Sequence, residues 1–302
     1  MRIPTLKQIQ TRSIKTLSYA LCAVSLCSAP VLAQSETTPN LSTDDTTTNI
    51  FDGVHQPVMK TYVRLGYQID VFGETLTLPD SDLQEIKAGG VVYHAPRIGG
   101  MYRLGKNTDI FEHGFIFGDY TFLSQPVMDQ RTEVNFTRST HFLDAGIGRF
   151  IQLMEDRIEI GPYLGMSSQL NFNDRDANPD EDSIYYHANQ NRLGFGVGSL
   201  FSVRFDDTLP FPLFFFANAG VFPFTPVQTD PAAAIFPENL TVMHFTGSFY
   251  GRFLPYLGGE IGFRQQFHVG GSDRSNFSAA WSEFFAMVRF EPEILFQAED
   301  TP

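Results

Sequence analysis

The residues best suited to chemistry are charged side chains that recur at alternate positions within apolar stretches. In Leu143–Phe172, Asp144 and Glu159 share one face with glycine, serine and glutamine, while leucine, isoleucine and methionine share the other. Because the side chains of a strand alternate between its two faces, this pattern indicates strands with one apolar and one polar face. The deepest charges on the polar faces are Lys60, Arg64, Asp70, Arg97, Asp144, Glu159, Arg192, Glu260, Arg264 and Glu283.

These charges predict the lining of a narrow pore, because charged rings in a pore select ions of the opposite sign. Four further cations, Arg103, Arg204, Arg252 and Arg289, lie on the same faces near the strand ends. The lining then carries nine cations against five anions, which favours anionic solutes. The alternative is that the charges pair and fill the interior, since a barrel of about eight strands holds only side chains.

A second candidate site is an acidic segment between two predicted strands. Asp174, Asp176, Asn178 and Asp180 place oxygen ligands at every second position, which suits a hard cation such as Ca²⁺. The EF-hand pattern is not matched, because Pro179 stands where that loop needs glycine. A solvated acidic loop is therefore the favoured interpretation, with calcium as the alternative and no other cofactor expected.

Ten strands are predicted to position these residues, and several exceed the length usual in soluble proteins. A strand that crosses a membrane needs about 9–11 residues. Predicted connections at 105–109, 154–157, 206–210 and 253–255 are short, and those at 73–86, 124–135, 173–191, 223–241 and 268–277 are longer and polar. The predicted strands are Val58–Phe72, Lys87–Leu104, Ile110–Leu123, Leu143–Leu153, Ile158–Phe172, Arg192–Phe205, Phe211–Phe222, Val242–Arg252, Tyr256–Phe267 and Ser278–Phe290.

The alternation of short and long connections predicts an all-β, antiparallel, up-and-down transmembrane barrel of ten strands, with both ends in the periplasm. Twelve strands are the alternative if 75–79 and 88–94 form an extra pair. In the third strand, Phe111, Phe115 and Phe117 are predicted to face outward, which would also turn Asp119 outward. A soluble β-sandwich with misjudged strand lengths is a third possibility.

The N-terminus predicts export. Residues 1–15 carry four cations and no acid, and an apolar run ending in Val31-Leu32-Ala33 follows, so a signal peptide over 1–33 is expected. Residues 34–56 are polar and predict a flexible periplasmic lead-in. Loss of the signal would remove both cysteines and leave 17 basic against 34 acidic residues, a balance that argues against nucleic acid as a partner.

With these features the chain resembles the Gram-negative outer-membrane β-barrel proteins, porin-like in general character, over a barrel at 57–290. The last strand resembles their C-terminal assembly signal, in which alternating apolar residues end in an aromatic, here Phe290. Residues 291–302 continue as a tail. The resemblance implies an integral outer-membrane location, contact with membrane lipid and lipopolysaccharide, and insertion by the barrel-assembly machinery.

The function predicted from these observations is a narrow channel for small solutes, with anionic ones favoured. The alternative is a closed barrel with a structural or surface-interaction role through its outer loops. Omptin proteases resemble the chain in strand number, and they use paired acids and an Asp–His couple. No Asp-x-His occurs, no Asp-x-Asp stands next to a predicted strand, and the seven histidines are scattered. The chain is therefore predicted not to be an enzyme.

Overall fold

The computed structural model describes residues 59–78, 85–104, 113–128, 135–154, 157–173, 189–205, 211–230, 237–254, 256–272 and 275–292. The predicted signal peptide, lead-in and most of the tail lie outside these ranges. Among the described residues, no helix is long and apolar enough to cross a membrane. The strands are β1 Tyr62–Thr77, β2 Glu85–Arg103, β3 Gly114–Met128, β4 Asn135–Arg149, β5 Ile151–Met154, β6 Ile158–Asn173, β7 Asn189–Arg204, β8 Leu213–Asp230, β9 Asn239–Leu254, β10 Leu257–Gly271 and β11 Asn276–Phe290.

The strands form one closed antiparallel barrel. Except for β4 and β5, each strand pairs with the next along the chain, and β1 pairs with β11, from Val63 opposite Phe290 to Thr77 opposite Asn276. β4 and β5 both pair with β6 and act as one barrel strand interrupted at Phe150. The predicted ten-stranded barrel is confirmed, and both chain ends of the barrel lie at the same end, here called the terminal end.

Several strands continue well beyond their predicted limits at the opposite end, here called the loop end. Residues 75–77 pair with 85–87 as continuations of β1 and β2, so the extra pair of the twelve-strand alternative does not form. The alternation of short and long connections is also less regular than predicted. Ten residues separate β2 from β3 and only four separate β10 from β11, although the longest connection, fifteen residues between β6 and β7, is at the loop end. Beyond the apolar wall both faces of the strands carry polar residues. The alternation of apolar and polar residues therefore ends there, although backbone hydrogen bonding between the strands continues.

The predicted orientation of the third strand is wrong. Phe115 and Phe117 are buried in the interior, and Ile116 and Tyr120 face outward. Phe111 lies outside the described residues. The aromatic rings occupy the lumen because a ten-stranded barrel needs large side chains to fill it. Asp119 consequently faces inward, where it can pair with cations.

The interior holds two apolar clusters, one toward each end. The cluster nearer the loop end contains Trp281, which is 1% exposed, with Phe72, Leu123 and Phe142 around it. The cluster nearer the terminal end surrounds Tyr163. A Cβ at Gly198 would collide with the Tyr163 ring, so glycine lets this ring lie against the barrel wall. Glycine at this inward position therefore accommodates an aromatic side chain.

Candidate functional site in the barrel interior

All ten predicted lining residues lie within the barrel or at its terminal mouth, and nine of them are buried, Arg64 being partly exposed. At mid-height three arginines form a central belt with carboxylates from other strands. Arg97 Nε donates to Asp119 Oδ1 at 2.7 Å, and Arg97 Nη1 lies 3.4 Å from Glu283 Oε2. Each guanidinium thus joins strands that are not neighbours, as Arg97 on β2 does with Glu283 on β11. The belt consists of Arg64, Arg97, Arg264, Asp70, Asp119, Asp144, Glu260 and Glu283.

The other two arginines of the belt are also paired. Arg64 donates to Glu260 Oε1 at 2.6 Å and forms a second ion pair with Asp119. Arg264 pairs with Asp144 across the lumen and lies 3.8 Å from Glu283. The low dielectric of the interior strengthens these attractions.

Asp70 is the exception, because among the described residues its side-chain hydrogen bonds come from an amide and not from a cation. Gln68 Nε2 donates to both of its carboxylate oxygens, at 2.9 and 3.1 Å. Glu283 stands directly opposite Asp70 in the β1–β11 register. Directly opposed like charges destabilise a strand pair. The belt therefore contains five carboxylates against three guanidiniums.

A second charged cluster lies nearer the loop end. Arg138 donates to Glu74 Oε2 at 2.9 Å, and Arg192 lies 3.9 Å from the other oxygen of Glu74. Arg192 also donates to Gln169 at 3.0 Å and contacts the His268 ring nitrogen at 3.1 Å. These side chains are all buried, so the cluster fills the lumen above the aromatic layer around Trp281.

A third charged cluster closes the terminal end. Glu291 accepts from Arg252 at 2.5 Å and lies 3.1 Å from Arg289 Nε. The Arg289 guanidinium sits over the rings of Tyr62 and Tyr250, 3.8 and 4.4 Å from their centroids. Cation–π contact compensates a cation for part of its lost hydration. Glu291, which the sequence assigned to the tail, is therefore part of the interior.

The segment that enters β1 crosses the terminal mouth. The Met59 amide donates to Glu159 Oε2 at 2.9 Å, although β6 lies four strands away from β1 around the barrel. Arg103 donates to the Met59 carbonyl at 2.6 Å and to Glu159 Oε1 at 3.1 Å, which fixes both partners. The Met59 side chain is 3% exposed and packs in the apolar cluster around Tyr163. Met59 and the neighbouring Lys60 thus act as a stopper at this mouth.

The interior charges nearly balance, whereas the sequence predicted nine cations against five anions. Among the described residues, nine interior cations face eight carboxylates, with partly exposed Arg204 left aside. Asp119 was missed because the face of β3 was misjudged. Glu74 was assigned to a loop and Glu291 to the tail, and Arg138 precedes the predicted start of the fourth strand at Leu143. A charged Asp119 facing lipid would destabilise the barrel. Its presence therefore already indicated that this face of β3 points into the interior. The carboxylates are Asp70, Glu74, Asp119, Asp144, Glu159, Glu260, Glu283 and Glu291, and the cations are Lys60, Arg64, Arg97, Arg103, Arg138, Arg192, Arg252, Arg264 and Arg289.

A cavity of about 50 Å³ remains between the central belt and Met59. Arg64, Asp144 and His244 line it, and each has a buried polar atom without a hydrogen-bond partner among the described residues. One water needs at least about 10–15 Å³ on such a measure, so the cavity accommodates a few water molecules. Hydration of these atoms is the simplest way to satisfy them.

The outer surface of the barrel is apolar. Exposed leucine, isoleucine, valine and phenylalanine side chains cover every barrel strand, for example Leu65 on β1, Leu164 on β6 and Ile261 on β10, which are 61%, 67% and 64% exposed. A closed barrel with an apolar outer wall and a polar interior satisfies its backbone and faces lipid. The chain is an integral outer-membrane β-barrel protein. Its predicted class and location are thereby confirmed.

Solved structures with a similar chain path are outer-membrane barrels. The outer-membrane protease OmpT from Escherichia coli matches at 8% identity and a TM-score of 0.46, over 76% of this chain and 95% of that one. Neisserial surface protein A matches at 15% identity and a TM-score of 0.29, over 76% and 96%. A FadL homologue of Pseudomonas aeruginosa matches at 8% and 0.32, over 77% and 90%. No family model matches the chain, and no curated protein matches it.

The remaining predicted site lies outside the described residues. Asp174, Asp176, Asn178 and Asp180 belong to the connection between β6 and β7, so calcium binding there stays a prediction. Among the described residues, no group of three His, Cys, Asp or Glu side chains converges as a metal site. The prediction that the chain is not an enzyme assumed that no Asp-x-Asp pair stands next to a strand. β2 begins at Glu85, earlier than predicted, so Asp80 and Asp82 are closer to a strand than that prediction assumed.

Proposed function

We propose that this protein is a closed outer-membrane barrel that serves a structural or surface-interaction role through its loop end. The observation that carries the proposal is the packing of the lumen. Three charged clusters and two apolar clusters occupy the interior, with Trp281 and Phe142 in one apolar cluster and Phe115 in the other. The central belt and the cluster nearer the loop end join strands across the barrel, so opening a passage would require several buried ion pairs to separate together.

A narrow channel for small solutes is the second candidate function. The cavity beside Arg64, Arg97 and Arg264 favours it, because these cations border a space that accommodates water. The predicted preference for anions loses most of its basis, however, since the interior cations are nearly matched by carboxylates. Passage would require displacement of Met59 at one end and of the aromatic layer around Trp281 at the other.

Three further parts of the proposal concern partners and chemistry. The apolar outer wall of the barrel faces membrane lipid. We propose that lipopolysaccharide is its neighbour in the outer leaflet. We also propose that the barrel-assembly machinery inserts it. No catalytic role is proposed. Incubation of the folded protein with peptide and lipid-ester substrates tests that part, and turnover abolished by Asp80→Asn would overturn it.

Single-channel recording of the refolded barrel in a planar bilayer tests closure. We expect no steady conductance for the unaltered protein, with folding verified by the change in gel mobility on heating. Trp281→Ala combined with Phe142→Ala removes the aromatic layer and serves as a sensitised variant, while Phe284→Ala on the outer wall is the matched control. Steady conductance of the unaltered protein with ion selectivity altered by Arg97→Ala would replace closure with the channel.

A further inference from the structure

A histidine faces outward on the lipid-facing wall, where ionisable side chains are rare. His141 lies on the outward face of β4 and is partly exposed. The Tyr120 hydroxyl on β3 is 2.7 Å from His141 Nδ1. The rings of Phe122 and Phe172 flank the imidazole, with centroids 5.0 and 5.7 Å away. Three strands therefore contribute to one aromatic site on the outside of the barrel.

The site lies where the wall changes character. Toward the terminal end, the outward positions of β4 are apolar, beginning with Leu143 and Ile147. Toward the loop end, they are Ser139 and Thr137, and β3 presents Ser124 directly opposite Ser139. Apolar residues suit hydrocarbon and hydroxyls suit headgroups. His141 marks the boundary between the two.

The height of His141 agrees with this boundary. His141 pairs with Phe122, eight positions along β3 from Gly114. A tilted strand gains roughly 2.5 Å of height per residue, so the ring lies about 20 Å above the start of β3. The apolar band of such barrels is about 25 Å tall. The longest connection is at the loop end, which identifies this end as external, so His141 is near the outer leaflet's headgroups.

One ring nitrogen of His141 has no hydrogen-bond partner in the part of the chain that the structure describes. Nδ1 is engaged by Tyr120, whereas no described residue makes a hydrogen bond with Nε2. When the Tyr120 hydroxyl donates to Nδ1, the proton of the neutral imidazole is on Nε2 and points away from that bond. A polar N–H at the edge of hydrocarbon is unfavourable without an acceptor. Headgroup oxygens are the acceptors available at this level.

We propose that His141 and Tyr120 form a binding site for the phosphate group of an outer-leaflet lipid. The His141 Nε2–H donates to a phosphate oxygen, and Tyr120 holds the ring in the required tautomer. Phe122 and Phe172 pack against the apolar part of the same lipid. The proposal rests on the outer-membrane location and the outward geometry, and it is independent of whether the lumen is closed.

Lipid retention by the folded barrel tests the site. The protein is refolded in nanodiscs of phosphatidylcholine that contain phosphorylated or dephosphorylated lipid A, and the lipid retained after detergent exchange is measured by native mass spectrometry. We expect His141→Phe to reduce the retention of the phosphorylated lipid by about tenfold, because a hydrogen bond to a charged group is lost. Tyr67→Phe, on the outward face of β1, is the matched control and should change nothing.

Further arms separate the possible ligands. Tyr120→Phe should reduce retention as well, which keeps the test valid if His141→Phe does not fold. Equal retention of phosphorylated and dephosphorylated lipid A would overturn the proposal, as would equal retention by the unaltered protein and both variants. Inorganic phosphate at millimolar concentration should not compete. Complete displacement by free phosphate would show an anion site without lipid recognition and would also overturn it.

Discussion

Removal of one arginine from the central belt should destabilise the barrel strongly. Arg264 pairs with Asp144 and lies near Glu283, and all three side chains are buried. Arg264→Met keeps an unbranched chain but leaves two buried carboxylates without this cation. Breaking a buried ion pair costs about 3–5 kcal/mol, because the remaining charge stays desolvated. We therefore expect the free energy of unfolding to fall by about that amount.

The companion variant separates charge pairing from packing. Arg264→Met with Asp144→Leu removes both charges, and hydrophobic replacement of a whole buried pair is often neutral or stabilising. The double variant should therefore recover much of the loss. Arg149→Met removes an exposed cation near the end of β4 and should change stability by less than about 0.5 kcal/mol.

Equilibrium unfolding in urea, with the barrel in phospholipid vesicles and tryptophan fluorescence as the signal, measures these differences. Trp281 is the only tryptophan and lies in the interior aromatic layer, so its emission reports on the core. If Arg264→Met lowered the free energy of unfolding by less than about 1 kcal/mol, this prediction would be refuted. A buried carboxylate left without its cation should destabilise the folded barrel by more than that. A double variant as unstable as the single one would show that packing, not charge, dominates.

Two further predictions use the same unfolding assay, and a third uses amide hydrogen exchange. Asp70→Asn should be neutral or stabilising by up to about 1 kcal/mol, since it removes one of two directly opposed carboxylates, and a marked loss would contradict that repulsion. Glu159→Ala should release the stopper, seen as faster amide hydrogen exchange at Met59 with exchange in the loop-end cluster unchanged. Gly198→Leu should destabilise by about 1–3 kcal/mol through collision with Tyr163, whereas Gly198→Ala should cost less.

The sequence predicted the architecture because outward positions must be apolar wherever the barrel meets lipid. The hairpin from Leu143 to Phe172 shows this constraint most clearly, and its faces are as expected. The pattern fails beyond the lipid, where Glu74 and Arg138 occupy strand positions without any apolar partner face. In that region backbone hydrogen bonding determines where the strands end. Such bonding does not depend on the polarity of the side chains, so no alternation in the sequence reveals it.

The charge pairing could not be predicted from alternation alone. Alternation places a residue inside or outside but does not show which strands face each other across the lumen. Arg264 and Asp144 are 120 positions apart, and their contact depends on the tilt and closure of the whole barrel. Phe115 and Phe117 were misplaced for a related reason, since aromatic residues suit both a lipid wall and a crowded lumen. His141 carried a usable signal, because a histidine on an outward register beside the apolar wall that begins at Leu143 is unusual.

The charged interior also affects how the chain leaves the cell interior. During export the polypeptide passes a translocation channel that retains long apolar segments as helices in the inner membrane. Each Arg, Lys or Asp at the centre of such a helix opposes its insertion by about 2.5–3.5 kcal/mol. In β10, Glu260 and Arg264 interrupt the apolar residues, and Glu283 and Arg289 do the same in β11. The residues that fill the folded barrel therefore also allow its strands to pass through the inner membrane without stopping there.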